Sequence, residues 1–229
     1  MRTTRPRRPN DSFAADGLVA SEGPAYHPRV RSAPDGRRAR GDRGTALVEA
    51  AIVLPFIALV VFGIVELGFL FRSGSVAVSA TRSGARLMAA NYGSALNGTQ
   101  QSTVIANVKA TVENELQSKA AVDTPLELWI YKSAADGTPS GSSTNNFANC
   151  SSGCVIYSGW NSGTGTFTNS SGSIASVVSC GTSKDRVGVY LKMNHAPLGF
   201  VGFLGTLSIT EKAVMVVEPP NPNTCPQGS

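Results

Sequence analysis

The run Thr45–Phe71, TALVEAAIVLPFIALVVFGIVELGFLF, constrains this chain more than any other feature. Seventeen of its residues are Leu, Ile, Val or Phe. At about −0.3 to −0.6 kcal/mol each for insertion into a bilayer, they supply roughly −5 to −10 kcal/mol. At about 1.5 Å per residue the run is roughly 40 Å long as a helix, enough to cross a hydrocarbon core of about 30 Å. A buried helix of a soluble protein is seldom so long and so uniformly apolar. The run therefore reads as a transmembrane helix. Glu49 and Glu66 interrupt it, nine and eight residues from its midpoint. Both fall near the interfaces, where a carboxylate costs less than at the midplane. Pro55 removes a backbone donor and is expected to bend the helix or loosen a turn.

Charge orients the helix. Residues 1–44 hold ten arginines and five acids, whereas residues 45–229 hold ten basic and ten acidic residues. The chain's net charge of +5 thus belongs to the N-terminal arm. A basic flank directly before an apolar run predicts a cytoplasmic N-terminus and an extracytoplasmic C-terminal domain in the cell membrane, with one pass. The neutral body gives no support to nucleic-acid binding. The arm has few large apolar side chains (Phe13, Leu18, Val19, Tyr26, Val30) and reads as a disordered basic leader over residues 1–44.

Beyond Arg72 the pattern predicts an α+β extracytoplasmic domain over residues 72–218, followed by a flexible tail over 219–229. Residues 73–92 continue the helix as a stalk with a polar face, and Tyr92-Gly93 supplies a stop. Val104, Val108, Val112 and Leu116 recur every four residues and predict a second, amphipathic helix over 99–120. Alternation predicts strands around Leu126–Tyr131, Val187–Asn194 and 206–218, the last with a phase slip near Glu211. These form a small antiparallel sheet. Between the first two strands lies a long Gly/Ser/Thr/Asn-rich loop, 133–183, with room for irregular strands.

All four cysteines, Cys150, Cys154, Cys180 and Cys225, fall on the outer side. Disulfides in an oxidising compartment suit that placement better than a four-thiolate zinc site, and the sequence does not choose among the three pairings. A disulfide closing 25 to 30 residues of the loop would contribute about 3.5 kcal/mol in the chain-entropy model. Catalytic motifs are scarce. The outer part has one histidine, His195, and no motif marks a serine or carboxylate to work with it. A packing or surface role suits it better than a hydrolase site. No metal, cofactor, small-molecule substrate or catalysis is expected.

The informative constellation lies at the membrane entrance. RGTALVEAAIVLPFIALVVFGIVELGFLF, followed by SATRSGARLMAA, resembles the TadE-like pseudopilins of tight-adherence type IV pilus systems. The shared features are Gly44 with Glu49 five residues on, Leu54-Pro55, the Gly63–Glu66–Gly68 spacing and Gly84-Ala85-Arg86. The late segment VGVYLKMNHAPLGFVGFLG is similar to actinobacterial-type relatives. The resemblance implies a pilin-like fold and a minor, non-catalytic role in pilus assembly. It also implies cleavage by prepilin peptidase between Gly44 and Thr45, leaving Glu49 fifth in the mature chain to meet the N-terminal amine of a neighbouring subunit. Glu49, Pro55 and Glu66 would then serve assembly, and the partners would be the membrane, the peptidase and other pilins or pilus-assembly proteins. The alternative is a secreted or surface-anchored binding protein with a conventional signal peptide cut after Val78-Ser79-Ala80.

Overall fold

The structure is a computed structural model that describes residues 41–92, 98–119, 123–141, 147–150, 152–174, 177–180, 184–197 and 205–218. The chain divides into two compact units, Met1–Glu49 and Ala50–Ser229. The first is described only where it begins the long helix. Most of the leader, the Gly93 stop, the tail and Cys225 lie outside the described residues.

Two helices, α1 (Gly41–Asn91) and α2 (Gly98–Lys119), precede five strands. The strands are β1 (Asp123–Ser133), β2 (Cys154–Asn161), β3 (Thr166–Ser173), β4 (Arg186–His195) and β5 (Leu207–Val216). They make one antiparallel sheet in the order β3-β2-β1-β4-β5. The fold is α+β, with the long apolar helix first.

α1 starts at Gly41, so Gly44 sits in its first turn, and it runs unbroken through Pro55. Proline lacks the N–H that would bond the carbonyl of Ala51, and the apolar turns on either side hold the helix across that gap. Up to Val65 the large apolar side chains, from Leu47 through Phe56 to Val65, are exposed. Burial against the rest of the protein begins at Glu66 and deepens at Ser73, Val76, Ala77, Ala80 and Thr81. This half of α1 packs beside α2 on one face of the sheet. Val76, Ala80, Met88, Val108, Val112 and Leu116 meet Leu128, Ile130, Val187, Val189, Leu191 and Met193 in a single core. The four-residue recurrence in α2 is the stripe that faces this core.

Gly84 sets the closeness of that packing. A Cβ there would lie 3.0 Å from a methyl of Val112 and 3.4 Å from methyls of Val108 and Val189. At the end of α1 the buried Tyr92 hydroxyl donates to the carbonyl of Ile174 at 3.1 Å. Burial pushes its pKa up to about 12, which keeps the donor protonated. The amide of Glu218 donates to the carbonyl of Ala89, tying the end of the sheet to the same helix.

Two features of the middle of the chain add to the expected three strands and long loop. The Gly/Ser/Thr-rich stretch contributes the β2–β3 hairpin. Its turn is held by Asn161, whose side-chain oxygen accepts from the amides of Gly163 and Thr164, and it closes at Gly165 with φ +66°. α2 grips this hairpin: the buried Glu113 carboxylate accepts the Phe167 amide at 2.7 Å and pairs with Lys109 at 2.8 Å. The second feature concerns the outer face of the sheet, where Phe147 packs on Trp129, Tyr131 and Tyr190. The Cys150–Cys154 disulfide pins that short segment in place. It closes a ring far shorter than 25 residues, for which the chain-entropy model gives only about 2 kcal/mol. Cys180 is also disulfide-bonded, and its partner lies outside the described residues, as Cys225 does.

The phase slip expected near Glu211 is absent: β5 pairs with β4 in unbroken register from Leu207 to Val216. The irregularity lies in β1, between Pro125 and Glu127. Proline has no N–H for the ladder, so a bulge forms there instead.

Gly84→Val should overpack the α1–α2 contact and cost about 1–3 kcal/mol in denaturant unfolding of the full chain in micelles. Gly74→Ala, where a Cβ meets nothing within 4 Å, should leave stability unchanged or slightly raised. Equal behaviour of the two variants would refute the close-approach role of Gly84.

Candidate functional site

Glu66 and His195 are 129 residues apart in sequence and bonded in the fold. α1 presents Glu66 at the point where its exposed half ends. β4 ends at His195, and β1 begins at Asp123, its register partner across the sheet. The imidazole therefore sits between helix and sheet, fully buried. Its Nε2 lies 2.8 Å from Oε1 of Glu66, and its Nδ1 lies 2.7 Å from Oδ1 of Asp123. The Ser73 hydroxyl, which donates to the carbonyl of Phe69 at 2.9 Å, is 3.4 Å from the same Nδ1.

An ionised carboxylate can only accept a hydrogen bond. Two such acceptors, one at each ring nitrogen, require two N–H donors, which is the imidazolium form. Burial alone opposes that charge. The hydrogen bonds to Asp123 and Glu66, and then the charges of those two groups, outweigh it, so the His195 pKa is raised above its usual value. Each ring nitrogen has a carboxylate oxygen as its partner.

The ring is buried, and the hydroxyl beside it among the described residues, that of Ser73, is buried too. The two nitrogens point to opposite partners, so the group does not converge on a cation. Among the described residues no set of His, Cys, Asp and Glu is placed to hold a metal ion. The packing role expected for His195 is the one its burial supports. Sequence reading did not find Asp123 or Ser73. The only available signal was a lone histidine closing an apolar strand, which names no partner.

The other residues singled out in the sequence lie apart from this cluster. Gly44, Thr45 and Glu49 are exposed near the start of α1. Glu49 precedes Glu66 by seventeen residues in the sequence. Nothing lies within 4 Å of the place a Gly44 Cβ would occupy. Pro55 is exposed, eleven residues before Glu66.

The described residues thus define a protein in which one helix of membrane length carries an α+β domain packed onto its second half. Residues 44–86 match the family model for TadE-like protein, so that segment is similar to the family. The match begins at Gly44, contains Glu49, Pro55 and Glu66, and ends at Arg86 in the packed half of α1. No curated protein and no solved structure matches the chain.

His195→Leu should leave Glu66 and Asp123 facing each other without a cation and cost about 3–5 kcal/mol, measured by chemical unfolding. Because the His195 pKa is raised on folding, the cluster's contribution is complete below the unfolded value of about 6.5 and is lost as pH rises through the folded value. Unfolding midpoints that do not fall as the pH rises above about 6.5 would contradict the imidazolium assignment.

Proposed function

We propose that this chain is a single-pass, non-catalytic component of tight-adherence type IV pilus assembly, processed by prepilin peptidase. The observation that carries this reading is the TadE-like match over 44–86, the segment that holds the membrane helix and every residue assigned to processing. Thr45–Val65 would lie in the bilayer, with the leader cytoplasmic and the α+β domain outside. Those 21 residues rise about 32 Å, close to a hydrocarbon core of about 30 Å. The domain would then meet the headgroups at Glu66 rather than beyond Phe71.

Hydrolysis of the Gly44–Thr45 bond would free an amine at the cytoplasmic boundary. Glu49 stands one helical turn from that amine. A carboxylate at the boundary is costly alone and gains from a cationic partner, which the amine of a neighbouring subunit would supply. Pro55 and Glu66 would act by shaping the helix and seating the domain. A conventional signal-peptide cut before Thr81 fits less well. It would strip Val76, Ala77 and Ala80 out of the core and would fall at a buried position of an unbroken helix.

Mass analysis of the protein from its native membrane should find a chain beginning at Thr45, and an intact Met1 terminus would remove the processing claim. Gly44→Leu should block cleavage by crowding the peptidase subsite. Glu49→Gln should insert normally but abolish piliation, and a normally piliated variant would end the proposed role of Glu49.

A further inference from the structure

We propose that His195 is a proton-operated latch: its imidazolium holds the Glu66 turn of α1 against Asp123 of the sheet, and loss of the ring proton releases that turn while the rest of α1 stays docked. This does not depend on a pilus role or on cleavage at Gly44.

The geometry supplies both states. With both nitrogens protonated, the ring donates to Asp123 at 2.7 Å and to Glu66 at 2.8 Å. Asp123 is almost completely buried and belongs to a strand paired on both sides, so it cannot follow the helix outward. Glu66 is less buried and lies on α1 seven residues before Ser73, the first residue of the helix to be buried. On deprotonation the ring keeps one N–H. The more buried Asp123 retains it at Nδ1, and the lone pair on Nε2 then faces the Glu66 carboxylate at 2.8 Å, acceptor against acceptor. That contact is repulsive, and the more exposed carboxylate is the one that can move.

The rest of α1 has independent holds. Ser73 through Tyr92 is anchored in the apolar core, and none of that packing changes with pH. Release is therefore confined to the turns between Glu66 and Ser73. Glu66 from α1 and Asp123 from β1 are the charged groups that act on the ring. The Ser73 hydroxyl is the neutral polar group beside it. Leu207, its register partner on β5, adds no charge.

The test uses the full chain in lipid nanodiscs carrying His27→Gln, which leaves His195 as the sole histidine. Nitrogen NMR of the ring should show the doubly protonated form at pH 6.5, titrating at higher pH. Amide shifts of residues 66–73 should follow the same curve, while those of residues 76–92 stay fixed. Glu66→Gln should lower the ring's midpoint by about one pH unit, a tenfold loss of proton affinity, and uncouple the helix signals from it. A neutral ring at pH 6.5 would overturn the latch. So would a titrating ring with unmoved residues 66–73, which would mean a static ion cluster.

Discussion

Up to Val65 the large apolar side chains of α1 are exposed, and further along the same helix contributes Val76, Ala77, Ala80, Ala85, Met88 and Ala89 to the core. One helix must therefore satisfy two surroundings, and the rest of the structure depends on where it changes from one to the other. In the first stretch the side chains are large and apolar on all sides, which suits lipid. In the second the buried face is built from Ala77, Ala80, Gly84 and Ala85, small enough for α2 and the sheet to approach closely. The change of residue size along α1 is the change of solvent.

The boundary between the two stretches is marked by a charge cluster rather than by apolar contact. Burying an imidazolium and two carboxylates costs desolvation, and a hydrophobic trio of similar volume could pack there instead. Charges add a penalty for the wrong register. Sliding α1 by one turn against the sheet would leave a buried imidazole and a buried carboxylate unpaired, whereas a greasy contact would tolerate the slip. The Glu66–His195–Asp123 contact thus sets how far the domain stands from the exposed part of the helix. In the proposed reading that distance would fix the length of helix left for the bilayer.

Much of this was legible in the sequence because it is written in local periodicity. The apolar run, the valines of α2 at every fourth position and the alternation in β1 and β4 each report the surface they bury. The β2–β3 hairpin was not legible, because β3 is an edge strand reading TFTNSSGS, and Phe167 is its one buried side chain. A strand that buries one residue leaves no alternation to read. The disulfide ring was hidden for another reason: Cys150 and Cys154 pair locally to hold Phe147 over Trp129, not to close the long loop. The charge cluster was the least legible, because Glu66, Asp123 and His195 are brought together by the sheet register and by the depth at which α1 docks. Glu66 read as a blemish near one end of an apolar helix, and the fold supplies it with a buried cation.

The central claim is that Thr45–Val65 occupies the bilayer and that the domain begins at Glu66. Its most direct test is a nitroxide scan along residues 45–75 in lipid vesicles, comparing collision with oxygen and with a water-soluble nickel chelate. Oxygen access should peak near Pro55, and chelate access should rise from about Glu66 on the side of α1 turned away from the domain. A peak displaced toward Phe71, or chelate access along the whole of Thr45–Val65, would contradict it.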